Sequence, residues 1–121
     1  MKRSLRILVV DDDRDHADSL AELFGLEGHV VSVAYTAQDA ITTFLSNDFD
    51  VAFMDVVMPG MNGVESFLEI RRQRPDAKVY MMTGYSVEQL LQQAIDNGAL
   101  GVISKPIDSD RMAQALDEVA P

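Results

Sequence analysis

The stretch that decides the fold is residues 5–13, which read Leu-Arg-Ile-Leu-Val-Val-Asp-Asp-Asp. A short run of large and branched apolar residues ends abruptly in three carboxylates. The run does not alternate with polar residues, which is typical of a strand buried on both faces of a parallel sheet. The sequence therefore predicts that the three carboxylates lie at the carboxyl end of a buried strand.

Four further apolar runs of this kind span residues 30–34, 51–54, 79–82 and 100–103. Between them, apolar residues recur at spacings of three and four, which indicates amphipathic helices. The second stretch follows this spacing throughout and the fourth follows it well. The residues are Leu20, Leu23 and Phe24 in the first stretch, Ala37, Ala40, Ile41, Phe44 and Leu45 in the second, and Val87, Leu90, Leu91, Ala94 and Ile95 in the fourth. Strict alternation of strands and helices predicts an α/β fold, an open parallel sheet covered on both faces, because a closed barrel needs about eight such units.

Residues that begin and end helices fall between the runs. Asp13, Thr36 and Asp108 are candidate N-caps, and Ser86 with Gln89 has the spacing of a capping box. Gly28 and Gly98 stand where the first and fourth helices should end.

Composition limits the class of protein. A length of 121 residues fits a single domain over residues 1–121, and 47% apolar residues are too many for a disordered chain. A net charge of −10 disfavours direct binding of nucleic acid by this segment. The absence of cysteine excludes thiol catalysis and zinc–thiolate sites and suits the cytoplasm. No apolar segment has the length of a membrane span or a secretory signal.

The strand ends carry the chemistry. Asp11 and Asp12 follow the first run, Asp55 the third, Thr83 the fourth and Lys105 the fifth. In parallel sheets these ends share one edge, where function gathers. Carboxylates crowded there would repel unless a hard cation lay among them, and Mg²⁺ is the best candidate, with Mn²⁺ as a second. A carboxylate can also act as a nucleophile toward phosphorus.

Four segments resemble the motifs of bacterial two-component response-regulator receiver domains. They are residues 7–13, 53–63, 81–84 and 104–106, in order and with similar spacing. The resemblance implies a doubly wound, flavodoxin-like or chemotaxis-regulator-like sheet in the order 2-1-3-4-5, flanked by five helices. It also implies a phosphoacceptor that passes a signal onward and is not a turnover enzyme.

The resemblance implies a role for each residue by its position. Asp55 matches the phosphoacceptor. Asp12 matches the direct metal ligand, Asp11 the acidic neighbour that often acts through water, and the Val57 backbone carbonyl a further ligand. Two residues match the contacts of the phosphoryl group, the hydroxyl and the ammonium of Thr83 and Lys105.

Switch and tuning positions follow from the same resemblance and include Val57, Gly84, Tyr85, Val102 and Pro106. Val102 stands where the family usually has an aromatic residue, so the usual coupling of a hydroxyl to a ring is expected to be absent or rewired. The apolar Val57 and the bulky Tyr85 predict slow self-dephosphorylation. The family often has a cis bond before the proline at Pro106.

Other polar residues have less specific expected roles. Asp13 is expected to cap the first helix, and His16 and His29 to be solvated surface residues. Three methionines are expected in the core, namely Met54, Met81 and Met82.

Partners and alternatives complete the expectations. A histidine kinase or histidine phosphotransfer protein would donate the phosphoryl group, and a C-terminal output domain or a partner protein would respond, around the fourth helix and fifth strand. Homodimerisation is a further option that the resemblance allows. The alternatives are a Mg²⁺-dependent phosphatase with an aspartate nucleophile, which the superficially similar Asp11-Asp12-Asp13 suggests, and a phosphorylation-independent interaction domain.

Overall fold

The computed structural model describes residues 4–84, 88–105 and 107–119. Strands and helices alternate along these ranges, and their bounds are β1 (Arg6–Val10), α1 (Arg14–Leu26), β2 (Val30–Ala34), α2 (Ala37–Ser46), β3 (Val51–Asp55), α3 (Gly63–Gln73), β4 (Val79–Thr83), α4 (Glu88–Asp96), β5 (Gly101–Ser104) and α5 (Ser109–Val119). Within these ranges, no helix combines the length and apolarity needed to cross a membrane.

The sheet is parallel throughout, in the order β2-β1-β3-β4-β5, which confirms the predicted architecture. The chain leaves β1 for β2 on one side and then returns to β3 on the other, so the strand order reverses between β1 and β3. Val10 of β1 pairs in register with Met54 of β3. The next residues, Asp11 and Asp55, are therefore neighbours at the point where α/β sheets usually form their sites.

The central strands bury both faces, as their sequence predicts. Along β1, Leu8 and Val10 pack into the core shared with α2, α3 and α4. Ile7 and Val9 point the other way, into the core shared with α1 and α5. The three methionines expected in the core are fully buried, as predicted, at Met54, Met81 and Met82.

Four apolar residues are more exposed than their patterns predict, and one of them is Leu100, which precedes β5 and is 42% exposed. Val30 of β2 is 59% exposed, because β2 lies at the sheet edge and pairs with one strand only. Leu23 and Ile95, assigned to the buried helix faces, are 45% and 42% exposed. Leu23 lies at the margin of the face that Leu20 and Phe24 form, and Ile95 is one residue round the helix from buried Ala94.

The predicted helix caps are confirmed where the structure describes them. The side chains of Asp13, Thr36 and Asp108 accept hydrogen bonds from backbone N–H groups three residues on. Gly28 and Gly98 have φ angles of 92° and 100°, the left-handed region in which helices often end. The capping box of Ser86 and Gln89 lies outside the described residues, because Ser86 is not among them.

Candidate functional site

Three carboxylates meet at the reversal of strand order. Oxygen atoms of Asp11, Asp12 and Asp55 lie within 4.8 Å of one another. Asp11 and Asp55 are buried and Asp12 is exposed, so the group opens to solvent on one side. An all-oxygen set of negative donors, open on one side, suits a hard divalent cation that keeps several waters.

Asp11 is richly supplied with hydrogen-bond donors. Its Oδ2 accepts from Lys105 Nζ at 2.8 Å and lies 2.6 Å from His16 Nδ1, and its Oδ1 accepts from the Asp13 N–H at 3.0 Å. Burial works toward a higher pKa, but these donors outweigh it and leave the pKa of Asp11 below its ordinary value. Asp11 therefore keeps its negative charge although it is fully buried.

Asp55 has weaker support. Its Oδ2 accepts from Lys105 Nζ at 3.2 Å, and its Oδ1 accepts from the Val57 N–H at 3.3 Å. Burial and then the charge of Asp11 raise the pKa of Asp55 to about 6, against the opposing pull of Lys105. A cation or a new covalent bond at this carboxylate would relieve that unfavourable environment.

Lys105 joins the two carboxylates. Its ammonium contacts both Asp11 and Asp55, and its side chain is 20% exposed. Burial works toward a lower pKa of Lys105, but the hydrogen bond that its ammonium donates to Asp11 and the charges of both carboxylates leave it raised. The Lys105 backbone N–H also donates to the Thr83 carbonyl at 2.9 Å, which ties the end of β5 to that of β4.

The remaining predicted residues lie around this centre. Thr83 is buried at the end of β4, one residue beyond Met82, which pairs in register with Asp55. Gly84 follows it, and a Cβ there would lie 4.0 Å from the Lys105 Cβ. Val57 is 41% exposed at the rim. Val102 packs, half-buried, against the core on the α2–α4 side.

Two predicted switch positions, Tyr85 and Pro106, lie outside the described residues. Their assigned roles in tuning and in the bond before the proline stay predictions.

Gly63 lies where the loop after Asp55 ends and α3 begins. A Cβ at this position would lie 1.9 Å from the Asp55 backbone oxygen. The Gly63 N–H donates to the Val56 carbonyl at 2.9 Å, and Asn62 caps α3 through a reciprocal pair with Glu65. The close approach requires glycine and holds the start of α3 against the end of β3.

The prediction that His16 is a solvated surface residue is wrong. Its Nδ1 lies 2.6 Å from Asp11 Oδ2, and its side chain is only 21% exposed. Side chains on a helix point back toward its N-terminus, and α1 begins directly after the acidic loop. A histidine in the first turn of this helix could therefore have been placed against Asp11.

The prediction for His29 is also wrong. It is half-buried, its Nδ1 accepts a hydrogen bond from the Leu5 N–H at 3.0 Å, and its ring meets Phe24 edge-on. It joins the loop before β2 to the start of β1, far from the carboxylates.

The fold and site define an α/β domain with a carboxylate cluster and a lysine at the reversal of strand order. The sequence profile described as "Response regulator receiver domain" matches residues 7–117. The chain belongs to the response regulator receiver domain family.

Individual relatives agree with this assignment. The chain is 33% identical over 118 residues to the transcriptional regulatory protein ZraR of Salmonella typhimurium, covering 98% of this chain and 27% of ZraR. It is 36% identical over 107 residues to a response regulator receiver protein of Anaeromyxobacter, covering 88% of this chain and 45% of that protein. The chain thus spans less than half the length of these relatives.

Solved structures share the fold. A CheY-like receiver domain from Methanospirillum hungatei has a TM-score of 0.88 and 30% identity, with 97% of each chain covered. The response regulator TrrA of Thermotoga maritima, solved in complex with Mg²⁺ and beryllium fluoride, has a TM-score of 0.86 and 30% identity, with 95% of this chain and 98% of that chain covered.

Proposed function

We propose that Asp55 accepts a phosphoryl group from a phosphohistidine, on a histidine kinase or a histidine phosphotransfer protein. The observation that carries the proposal is the Lys105 ammonium between Asp11 and Asp55 at the reversal of strand order, in a chain of this family. A buried, weakly hydrogen-bonded carboxylate beside a cation is a suitable nucleophile for a negatively charged phosphoryl group.

The transfer is a displacement at phosphorus. An Asp55 carboxylate oxygen forms the O–P bond, the N–P bond of the donor breaks, and its electron pair returns to the imidazole nitrogen. The Lys105 ammonium, already 3.2 Å from Asp55 Oδ2, is placed to neutralise charge on the phosphoryl oxygens. Thr83, at the end of the adjacent strand, would donate its hydroxyl to the same oxygens.

Mg²⁺ fits the carboxylate cluster and would supply electrostatic stabilisation of the transferred group when bound. Asp11, Asp12 and Asp55 would hold it, with the Val57 carbonyl as a further ligand. The likeness to TrrA, solved with Mg²⁺ and beryllium fluoride, supports this choice. Mn²⁺ gains no separate support.

Phosphorylation would then shift a conformational equilibrium that controls a linked output domain or a partner protein. Val102 has no aromatic ring that could move inward, so the conformational change would pass through other contacts around α4 and β5. We place the domain in the cytoplasm as a phosphoacceptor rather than a turnover enzyme, without direct nucleic-acid contacts of its own and with homodimerisation as one mode of response.

Intact-mass analysis after exposure to a small acyl phosphate with Mg²⁺ tests the proposal. We expect a gain of one phosphoryl group in the native chain and in Asp48→Asn, an exposed control, and no gain in Asp55→Asn. No gain across several donors and kinases would contradict the proposal and favour a phosphorylation-independent interaction domain. Steady hydrolysis of a phosphate ester would favour the phosphatase alternative.

A further inference from the structure

Two donors share one oxygen of Asp11. Lys105 Nζ lies 2.8 Å from Asp11 Oδ2, and His16 Nδ1 lies 2.6 Å from the same atom. Because Lys105 also contacts Asp55, its ammonium is divided between a carboxylate that keeps its charge and the proposed acceptor. His16 contacts Asp11 and makes no described contact with Asp55.

We propose that His16 is a positioning residue, which holds Asp11 so that Lys105 can turn to the phosphoryl group on Asp55. This inference rests on the proposed phosphoryl transfer. Asp11 is completely buried. Loss of a hydrogen-bond donor to a buried carboxylate costs free energy, because the charge is left without a partner in a site that water does not reach. With the imidazole N–H in place, Asp11 Oδ2 keeps a hydrogen bond when the ammonium leaves it.

The position of His16 is built into the start of α1. The Asp13 N–H donates to Asp11 Oδ1, and the Asp13 side chain accepts from the His16 N–H at 3.2 Å. The His16 imidazole contacts Asp11 Oδ2, and this contact closes a ring of three hydrogen bonds among the three residues. The N-cap of the helix and the imidazole contact with Asp11 are therefore linked, and Nδ1 must carry the proton in this ring because an ionised carboxylate only accepts hydrogen bonds.

Two substitutions separate the hydrogen bond from the shape of the side chain. His16→Leu keeps bulk and the backbone N–H but removes the donor. His16→Asn places an amide nitrogen close to the position of Nδ1 and retains a donor. We expect the rate of phosphoryl uptake from a small acyl phosphate to fall about tenfold in His16→Leu, the scale of one charge-assisted hydrogen bond, and to recover largely in His16→Asn.

Binding measurements provide a second readout that does not depend on turnover. Fluorine NMR with Mg²⁺ and beryllium fluoride should show an affinity about tenfold weaker in His16→Leu than in the native chain, while the affinity for Mg²⁺ alone changes little. A role in holding the metal would instead lower both affinities together. Long-range ¹H–¹⁵N spectra of the native protein should show a protonated Nδ1 on His16.

The outcomes distinguish this inference from the function beneath it. If the native chain takes up phosphate but His16→Leu matches it in rate and in fluoride affinity, the positioning role is overturned and the phosphoacceptor stands. An unprotonated Nδ1, or a loss in His16→Leu that His16→Asn does not restore, also overturns it. If the native chain takes up no phosphate from any donor, both proposals fail.

Discussion

The carboxylates at the ends of β1 and β3 are neighbours, but their pKa values are shifted in opposite directions. Asp11, beyond β1, has three donors within 3.0 Å and a lowered pKa. Asp55, at the end of β3, has two donors at 3.2 and 3.3 Å and a raised pKa. Burial alone cannot explain the difference, since both are buried. The supply of hydrogen bonds to Asp11 and the charge of Asp11 beside Asp55 together decide which carboxylate is a fixed charge and which can gain from a new partner.

Replacing Lys105 should have the largest effect, because it serves both strand ends. We expect Lys105→Met to slow phosphoryl uptake by about 10²-fold, the usual consequence of losing one preorganised cation or donor at a transferred group. The measurement is the rate of mass gain with a small acyl phosphate. Lys78→Met, exposed before the start of β4 at the opposite edge, is the control. An unchanged rate in Lys105→Met would show that the ammonium does not contribute to phosphoryl transfer.

The two carboxylates should respond in opposite directions to the same substitution. Without metal at neutral pH, Asp11→Asn should lower the free energy of unfolding by about 2 kcal/mol, because charge-assisted hydrogen bonds are lost in a buried site. Asp55→Asn should raise it by about 1 kcal/mol, because the repulsion from Asp11 is removed. Urea unfolding in the presence of a chelator measures both values. A change in the free energy of unfolding that has the same sign in both variants would contradict the difference between the two carboxylates.

The stability of the metal-free protein should depend on pH through Asp55. Its pKa is raised from 3.8 to about 6, so the folded state binds the proton more tightly than the unfolded chain does. The contribution of Asp55 to stability is therefore fully present below pH 3.8 and is lost as the pH rises through about 6, by about 3 kcal/mol.

The lowered pKa of Asp11 acts in another window. Its contribution is present above pH 3.8 and is lost as the pH falls through its folded pKa. Urea unfolding of native and Asp55→Asn chains from about pH 2 to about pH 7 separates the two groups. A decline of equal size in both chains would show that another group is responsible.

Val57 should have the smallest effect. We expect the phosphoryl group on the native chain to persist far beyond seconds in Mg²⁺ buffer, because the apolar side chain at the rim does not help water attack. Val57→Asn should shorten that lifetime several-fold, measured by intact mass over time, and Val30→Asn at the exposed sheet edge is the control. A lifetime of seconds in the native chain would contradict the expectation.

Most of the site could be predicted because parallel strands deliver their carboxyl ends to one edge. Asp11, Asp55 and Lys105 directly follow or end buried runs, so their meeting follows from the order of elements. The periodicity of the apolar residues predicts where each strand ends, and it can be recognised within a few residues of the sequence. The strand order itself came from the family resemblance, since alternation alone admits other orders.

The parts that were missed depend on directions and distances that no local pattern contains. His16 was misplaced because its role depends on where α1 starts relative to Asp11. Val30 was predicted to be buried because the sequence of a strand does not show whether the strand lies at the edge of the sheet. The hydroxyl of Tyr80 in β4 donates to Glu118 in α5, a contact across 38 residues that the apolar pattern of the strand does not indicate.

The phosphoryl group can be located directly on the chain by chemical reduction. Borohydride reduces an acyl phosphate to an alcohol, so a phosphorylated aspartate becomes homoserine. After reaction with an acyl phosphate and Mg²⁺, reduction and peptide mass spectrometry should find homoserine at position 55 and nowhere else. Homoserine at position 11 or 12, or none in a chain that has gained a phosphoryl group, would contradict the assignment of Asp55 as the acceptor.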